Sequence, residues 1–391
     1  MSNHKKHADI ARPALGDFGR NEWAILGTHC GNIKKLAFQL CQVLSPQWKV
    51  AYVDADHKGA DDEKSNGRDA QTALAHGAFF EYTDKITHHR FDLEGELGKF
   101  QYRPLFSQAD LVLVNGNHFT AQRQIVVVDP KKEDSLRRKL DRLTHVDLIL
   151  FAEGVTEIPQ YLIDHLGENW PAGDHSPYAM LQPKLIAAFL ENQLTASVPP
   201  ISGLVLAGGK SMRMGTDKGL LNYHGLPQRE YLMDLVEVFC ENTWLSCRPE
   251  QAGELVYEFE VLPDTFLGLG PMGAILSAFR SQPDHAWLVV ACDLPLLDHD
   301  TLEFLIKNRN PSAMATTFRS PVNDFPEPLV TIWEPKSYPV LLQFLAQGYS
   351  CPRKALINSP VHVLEAPNPV ALKNVNTREE YEEVMAALEG R

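Results

Sequence analysis

The segment from Ile201 to Lys218 constrains the fold of this chain more than any other. An apolar stretch, Ile201 to Val205, runs directly into Leu-Ala-Gly-Gly-Lys-Ser-Met-Arg-Met-Gly-Thr-Asp-Lys. A buried strand that ends in glycines lets backbone N–H groups approach an anion closely, because glycine has no Cβ and tolerates positive φ. Arg213 and Lys218 add positive charge at a spacing that packing does not explain. The segment therefore predicts a phosphate-binding strand–loop–helix unit in an α/β domain.

The length and the pattern of elements predict two α/β domains. At ~150 residues per domain, 391 residues hold two, and alternating strand-like and helix-like segments favour mostly parallel sheets. We place a polar, flexible tail at residues 1–20, a first domain at 21–195, a proline-marked linker at 196–200 and a second domain at 201–391. In the first domain the pattern predicts strands at 23–26, 50–53, 109–115, 124–128 and 147–152, helices at 33–44 and 183–193, and a mobile polar loop at 54–68.

Charge and cysteine usage exclude several classes of protein. A formal net charge of −13 argues against nonspecific nucleic-acid binding, so an anionic ligand must be met by local cations. The six cysteines form no Cys-x-x-Cys pair, which indicates reduced thiols rather than a disulfide framework or a zinc site. No apolar stretch approaches the ~20 residues of a membrane span, and residues 1–17 lack a signal-peptide core. We expect a cytoplasmic protein without nucleic-acid or membrane partners.

The first domain contains an incomplete phosphate-binding loop. A strand ends at Gly27, and Gly31 and an amphipathic helix follow. A functional Gly-x4-Gly-Lys-Ser/Thr loop would have Gly, Lys and Ser or Thr at positions 32 to 34. The chain has Asn32, Ile33 and Lys34 instead. The hydroxyl that holds the metal is absent and the lysine lies one residue late, which argues against NTP hydrolysis here.

Residues 21–130 resemble the GTP-binding adaptor of molybdenum cofactor biosynthesis, the MobB type. The similarity lies in the order of four pieces: Gly27 to Leu36, Val50 to Lys58, Gly67-Arg-Asp69 with His76-Gly-Ala78, and Asp110 to Gly116. Asn115 replaces an acidic residue that the family usually has. The resemblance implies a P-loop-NTPase-like fold that has lost its GTPase chemistry. The alternative is an unrelated α/β domain with a chance Gly-Thr-His-Cys-Gly turn.

Two carboxylates are candidate site residues in the second domain. Asp264 precedes the glycine-rich turn at 268–273, and Asp293 ends the apolar strand that begins at Trp287. Ligands of open α/β sheets bind at the carboxyl ends of the strands, and Mg²⁺ takes one or two carboxylates together with substrate phosphates. Asp293 is therefore a candidate Mg²⁺ ligand. A helix cap is the alternative role, for which Asp298 or Asp300 fits better.

Two further segments complete the pattern of the second domain. Residues 326–333 predict a strand close to the site. Asn374-Val-Asn-Thr377 precedes the last helix, with Thr377 as its N-cap and Glu380 at the capping-box position. Asn374 and Asn376 are either ligand-facing residues or simple turn formers.

Residues 200–388 resemble the molybdenum cofactor guanylyltransferases, the MobA type, which implies a Rossmann-like nucleotidyltransferase fold. The Leu-Ala-Gly-Gly form of the opening motif is the one found in that branch. The resemblance implies the following roles: nucleotide binding by Leu206, Ala207, Gly208, Gly209 and Lys218, guanosine binding by Asp264, Mg²⁺ binding by Asp293, and pterin binding by Asn374 and Asn376. Cys247 stands where the family commonly has asparagine, and a thiol cannot present the paired donor and acceptor of an amide. That departure bears on base recognition.

The function expected from this resemblance is transfer of GMP from GTP to the terminal phosphate of molybdopterin, with release of pyrophosphate. Because the nucleophile is already an anionic phosphate oxygen, catalysis needs positioning and charge neutralisation rather than a strong base. The catalytic residues would be Lys218, Arg213 and Asp293. Molybdoenzymes or cofactor-insertion proteins are possible further partners. The alternatives are a cytidylyltransferase, another sugar or small-phosphate nucleotidyltransferase, and a non-catalytic carrier of the pterin cofactor.

Overall fold

The computed structural model describes residues 10–55, 72–167, 178–207 and 217–389. They form two compact units: the first unit comprises Leu15–Thr195, and the second unit comprises residues from Ala196 onwards together with the segment that ends at Ala14. Helices and strands alternate in both units, and the sheets are mostly parallel. The predicted α/β fold class is thereby confirmed, whereas the assignment of the first unit to the P-loop type stays a prediction. The loop predicted at 54–68 lies largely outside the described residues.

The first unit is built on a parallel sheet. Its described strands are β1 (Glu22–Leu26), β2 (Val50–Val53), β3 (Phe80–Asp84), β4 (His89–Leu93), β5 (Leu111–Asn115), β6 (Arg123–Val128), β7 (Val146–Phe151) and β8 (Tyr178–Ala179). Its described α-helices are α1 (Cys30–Leu44), α2 (Lys99–Phe106), α3 (Glu133–Arg137), α4 (Gln160–Leu166) and α5 (Pro183–Ala196). The main sheet has the order β2-β5-β1-β6-β7-β8 with every pair parallel. Strands β3 and β4 form a separate antiparallel hairpin.

The second unit contains a mixed sheet. Its described strands are β9 (Ile201–Leu206), β10 (Thr243–Cys247), β11 (Val261–Pro263), β12 (Ala286–Ala291), β13 (Ala315–Arg319), β14 (Pro326–Trp333) and β15 (His362–Leu364). Its described α-helices are α6 (Gln228–Glu237), α7 (Ala252–Leu255), α8 (Pro271–Ser281), α9 (His299–Lys307), α10 (Ser337–Ala346), α11 (Pro352–Ile357) and α12 (Arg378–Glu389). The order is β11-β10-β9-β12-β14-β13-β15, in which β14 is antiparallel to both of its neighbours.

Apolar patterning explains why these segments form buried elements. Strands β1, β5 and β12 are fully buried along their length, because helices pack on both faces of each sheet. In α1 the residues Ile33, Leu36 and Leu40 follow helical spacing and pack into the core. The strands and helices predicted from apolar runs agree with the structure to within a few residues at each end.

The β3–β4 hairpin was missed by the sequence analysis. Its side chains are exposed or only half-buried, and Phe80, Tyr82 and Phe91 are exposed although they are aromatic. Both strands do alternate apolar and polar residues, in Phe80-Glu81-Tyr82 and Phe91-Asp92-Leu93, but only over a few positions, and the prediction did not use this short pattern.

Parallel pairing brings several carboxyl ends together in the second unit. Strand β9 pairs in parallel with β10 on one side and with β12 on the other. The chain segments that leave these strands therefore emerge at one edge of the sheet. The loop that follows β11 is fixed there by Ser277 of α8, whose Oγ accepts the Thr265 N–H at 2.8 Å and donates to the Gly273 carbonyl at 2.6 Å.

Replacing Gly273 with alanine is expected to lower the free energy of unfolding of the second unit by about 1–3 kcal/mol. The new Cβ would collide with the backbone carbonyl of Phe266, which has no rotamer in which to move away. Chemical denaturation measures the loss. Gly253→Ala in α7 is the matched control, because no atom lies within 4 Å of the position of its Cβ. Equal losses in the two variants would contradict this account.

Candidate active site at the carboxyl edge of the second sheet

A pocket of about 290 Å³ lies at the carboxyl edge of the second sheet. Its walls come from the ends of β9 and β12, from the loop after β11 and from the start of α8. The lining residues include five of the predicted site residues, namely Leu206, Ala207, Lys218, Asp264 and Asp293. The predicted residues Gly208, Gly209 and Arg213 lie outside the described residues. The strand order therefore places residues far apart in the sequence around one cavity.

Asp293 lies in this pocket with one carboxylate oxygen unsatisfied. Its side chain is 18% exposed, and its Oδ2 lies 3.8 Å from the Lys218 Nζ. Its Oδ1 is buried and has no hydrogen-bond partner among the described residues. Burial raises the pKa of Asp293, and the positive charge of Lys218 opposes that rise. A buried carboxylate oxygen without a donor is costly unless a ligand satisfies it.

Lys218 is held in place from two sides. It begins a short 3-10 turn, Lys218–Leu220, whose start is capped by Asp217 because the Gly219 N–H donates to Oδ1 at 2.9 Å. The Lys218 Nζ donates to the Asn376 Oδ1 at 2.6 Å and faces Asp293. The ammonium group is thereby fixed at the pocket wall rather than distributed over many rotamers.

The turn before α12 supports this lysine. Glu380 accepts hydrogen bonds from the N–H groups of Asn376 at 2.6 Å and Thr377 at 3.0 Å, and its own N–H donates to the Thr377 Oγ1 at 3.2 Å. This confirms the predicted capping box. The Val375 N–H donates to the Asp293 carbonyl at 2.8 Å, so the turn is tied to the end of β12. Asn374 carries a buried Oδ1 without a partner among the described residues.

Asp264 lines the pocket directly after β11. Its N–H donates to the Cys247 carbonyl at 2.9 Å, and its Oδ1 accepts the Ser246 hydroxyl at 3.0 Å. Burial raises the pKa of Asp264, and the hydrogen bond from Ser246 reduces the rise. Position 247 therefore supports Asp264 through its backbone.

The Cys247 side chain lies in the hydrophobic core rather than in the pocket. It is completely buried among the residues that pack beneath the sheet, and it is not among the residues that line the pocket. Burial, together with the nearby Asp264 charge, raises its pKa to about 11. The departure at this position thus changes a core side chain rather than a side chain of the pocket wall.

The start of α8 adds a favourable environment for an anion. Gly270 adopts φ = 56°, which suits glycine, and Pro271 occupies the first helical position. Gly270, Pro271 and Ala274 line the pocket, so the positive end of the helix dipole lies at its wall. This glycine-rich turn was predicted from the sequence, whereas the contributions of Ser246 and Asp217 were not. The sequence offered one signal for each residue. Ser246 is a polar residue near the end of a buried strand, and Asp217 directly precedes Lys218 and Gly219.

The pocket fits a divalent cation only together with a ligand. Among the described residues, no group of three or more His, Cys, Asp or Glu side chains is arranged to hold a metal ion. Asp293, however, offers a buried oxygen that lacks a donor. One carboxylate completed by phosphate oxygens is the usual arrangement for Mg²⁺, so the residues present fit a metal that arrives with a nucleotide.

The incomplete loop of the first unit uses its polar side chains internally. The Thr28 hydroxyl donates to the Asp129 Oδ2 at 2.6 Å, and the Asn32 Nδ2 donates to the Thr28 Oγ1 at 3.1 Å. Lys34 is exposed, with its Nζ 5.8 Å from the centre of the Phe38 ring. Within the described ranges of the chain, no helix is both long enough and apolar enough to span a membrane.

The part of the chain that forms the second unit is similar to known proteins. Residues 203–362 match the family model described as MobA-like NTP transferase domain. Over 187 residues the chain is 33% identical to a molybdenum cofactor guanylyltransferase from Pseudomonas putida, which covers 47% of this chain and 96% of that protein. It is 35% identical over 189 residues to a molybdenum cofactor biosynthesis bifunctional protein from Synechocystis sp.; this match covers 48% of the chain but 54% of that protein, so the chain spans only about half of its length. A solved structure of molybdopterin-guanine dinucleotide biosynthesis protein A from Archaeoglobus fulgidus shares 23% identity, covers 49% of this chain and all (100%) of its own, and has a TM-score of 0.43.

Proposed function

This chain belongs to the molybdenum cofactor guanylyltransferase family, and from that premise we propose that its second unit transfers GMP from GTP to the terminal phosphate of molybdopterin. The observation that carries the proposal is the position of Lys218, which lies between Asn376 and Asp293 at the wall of a pocket. A fixed ammonium beside a carboxylate that lacks a donor suits a ligand with both phosphate oxygens and a cation. A binding protein for a neutral compound would need neither.

The reaction requires little acid–base chemistry from the protein. A terminal phosphate oxygen of the pterin attacks the α-phosphorus of GTP, a P–O–P bond forms, and the bond between the α- and β-phosphates breaks to release pyrophosphate. The attacking oxygen is already anionic, and no histidine is present among the described residues that line the pocket. The work of the site is therefore to align the two phosphates and to offset the charge that develops on the leaving group.

Each described residue has a distinct role in this proposal. Lys218 neutralises charge on the phosphates, and the positive end of the α8 helix dipole at the pocket wall adds to that effect. Asp264, which is held by Ser246, is assigned to the guanosine part of the nucleotide. Asp293 would hold Mg²⁺, which when bound supplies positive charge to the phosphate oxygens. Gly208, Gly209 and Arg213 belong to the proposed phosphate loop on sequence grounds alone.

Product analysis tests the proposal directly. The full-length protein is incubated with Mg²⁺, molybdopterin and equal concentrations of the four ribonucleoside triphosphates. We expect pyrophosphate release and a product whose mass corresponds to the guanine dinucleotide of the pterin. A cytosine dinucleotide product would show that the protein is a cytidylyltransferase instead. The absence of any nucleotide transfer would favour a carrier of the cofactor.

Asn376 is proposed to position Lys218, and Asn376→Ala is expected to lower kcat by about tenfold. Its amide oxygen accepts the hydrogen bond that fixes the Lys218 ammonium, and a hydrogen bond to a charged group is worth about 1.5–3 kcal/mol. Steady-state kinetics with both substrates varied measures the change. A rise confined to the KM for molybdopterin would instead indicate that Asn376 contacts the pterin. Asn358→Ala is the control, because Asn358 is exposed and caps the distant helix α11.

For the first unit we propose an accessory role in handling the cofactor or docking partner proteins. Strand β1 leads through a glycine turn into α1, and this arrangement supports a P-loop-like origin. The turn requires a glycine, because Gly27 has φ = 97° and a Cβ there would collide with the Val127 carbonyl. Covalent linkage keeps this unit at a high effective concentration near the transferase. Molybdoenzymes or cofactor-insertion proteins are the proposed partners. A cytoplasmic location fits this pathway and the six free cysteines.

A further inference from the structure

The first unit contains a pocket of its own, in which Cys30 is surrounded by groups that activate thiols. The pocket has a volume of about 270 Å³ and lies at the start of α1. Its lining residues are His29, Cys30, Asn117, His118, Lys132, Ser135 and Lys139. None of them contributes to the transferase site proposed above.

Cys30 is the first residue of α1 and contacts two nitrogen atoms. Its Sγ lies 3.4 Å from the His118 Nε2 and accepts a hydrogen bond from the Asn117 Nδ2, also at 3.4 Å. The Asn117 Nδ2 also donates to the Thr28 carbonyl at 2.9 Å, which fixes its orientation. A helix N-terminus, a neighbouring imidazole and an amide donor are typical surroundings of reactive cysteines.

His118 is held beside the Cys30 sulfur. Its Nε2 also lies 3.9 Å from the Asp54 Oδ1. Asp54 is itself fixed by the Tyr52 hydroxyl at 2.6 Å and the Asn115 Nδ2 at 2.7 Å. Burial alone would raise the pKa of Asp54, but these hydrogen bonds and the charge of His118 lower it. The His118 Nε2 therefore lies within reach of the Cys30 thiol proton, beside a carboxylate that is itself fixed.

The other thiols of the chain lie in different environments. Burial raises the pKa of Cys41 and Cys292, of Cys247 to about 11 and of Cys240 to about 12, which makes these side chains inert. Cys351 is exposed at the start of α11 and provides an accessible reference within the same chain. Cys30 is half-buried and faces a cavity, so it combines access with activating neighbours.

The charges around the cavity determine which small molecules it favours. Lys132 and Lys139 both line it, and the Lys139 Nζ donates to the Asn117 Oδ1 at 3.0 Å. No carboxylate is among the described residues that line the cavity. A small molecule with carboxylate groups is therefore favoured over a cationic one of the same size.

We infer that Cys30 is a modification site that forms a mixed disulfide with a small anionic disulfide of the glutathione type. His118, whose Nε2 lies 3.4 Å from the Cys30 sulfur, takes the thiol proton as that sulfur attacks one sulfur of the reagent. A new S–S bond forms, and the original S–S bond breaks. His118 passes the proton to the departing sulfur, so that one thiol and one disulfide are converted into one mixed disulfide and one thiol. The cysteine is oxidised and the departing half of the reagent is reduced. Thiol reductants reverse the reaction.

Modification rates in the full-length protein test the inference. The protein is exposed at pH 7 to oxidised glutathione, an anionic disulfide, or to cystamine, a cationic one, and the modified peptides are quantified by mass spectrometry. We expect Cys30 to react with glutathione at least about tenfold faster than Cys351. We also expect its preference for glutathione over cystamine to exceed that of Cys351. Equal or faster reaction at Cys351 would overturn the inference.

Two variants separate activation by neighbours from simple exposure. His118→Asn removes the imidazole and is expected to slow the reaction of Cys30 by about tenfold without changing the rate at Cys351. The double variant Lys132→Gln and Lys139→Gln is expected to slow the reaction with glutathione but not that with cystamine. Circular dichroism verifies the fold of each variant, and Lys34→Gln, on the exposed face of α1, is the matched charge control. Unchanged Cys30 rates in folded His118→Asn protein would refute activation by histidine.

Discussion

Lys218→Ala is expected to slow GMP transfer by about 10²–10³-fold while the second unit stays folded. The Lys218 ammonium is fixed by Asn376 and Asp293 before any substrate binds, so it needs no reorganisation as charge develops on the leaving pyrophosphate. The loss should appear mainly in kcat, because the charge on the leaving group grows in the transition state. Pyrophosphate release under saturating GTP and molybdopterin measures it.

The control for this variant is another lysine of the same unit. Lys307 on α9 is exposed and pairs with Glu303 at 2.9 Å, one helical turn away, so Lys307→Ala should leave turnover unchanged. Lys218→Arg retains the positive charge but replaces the compact ammonium by a larger planar guanidinium. We therefore expect turnover between that of Lys218→Ala and that of the unmodified protein. Turnover near that of the unmodified protein in folded Lys218→Ala would remove Lys218 from the mechanism.

Asp293→Asn is expected to abolish most turnover, again by about 10²–10³-fold, without lowering stability. The substitution keeps the size of the side chain but removes the negative charge that a divalent cation needs. Because burial raises the pKa of Asp293, the ionised carboxylate is less favourable in the ligand-free folded protein than in the unfolded chain. The free energy of unfolding of Asp293→Asn should therefore be equal to or higher than that of the unmodified protein at pH 7.

A fully exposed aspartate provides the comparison. Asp300→Asn, in the first turn of α9 where the side chain is 96% exposed, should change neither turnover nor stability appreciably. Chemical denaturation and Mg²⁺-dependent GTP binding are measured on both variants. A large loss of stability in Asp293→Asn would show that the carboxylate holds the fold together, and the loss of activity would then say nothing about a metal.

The direction of the Asp293 pKa shift also fixes the sign of two pH effects. Since the folded-state pKa lies above the usual value, protonation begins at a higher pH than for an exposed aspartate, and Mg²⁺-dependent GTP binding should weaken as the pH falls through that range. The folded state binds the extra proton more tightly than the unfolded chain, so the contribution of this group to stability increases as the pH falls. Asp293→Asn should lose both dependences. Persistence of the binding dependence in that variant would assign it to another group.

The agreement between sequence and structure follows the strength of the local patterns. The apolar run from Trp287 to Ala291 is typical of a buried strand, and Thr377 followed by Glu380 is typical of a capping box where a helix starts; both patterns are local and both predictions agree with the structure. The β3–β4 hairpin carries only a short alternation of apolar and polar residues, and its apolar side chains stay exposed. Ser246 and Asp217 were missed for another reason: their partners, Asp264 and the Gly219 N–H, are ordinary hydrogen-bonding groups that a sequence does not mark.

The sequence by itself determined the class of fold, the order of the elements and the residues with suitable chemistry. Glycines, cations and carboxylates at the ends of apolar strands are local features, because the requirements of backbone conformation and burial act over a few residues. Only the tertiary structure decided which of these groups meet. Parallel pairing of β9 with β10 and β12 brought Lys218, Asp264 and Asp293 to one pocket, and the turn before α12 delivered Asn376 to Lys218 across 158 positions of the chain. The tertiary structure also placed the Cys247 side chain in the core and Cys30 beside His118. Such long-range contacts depend on strand order and register, which no local sequence pattern contains.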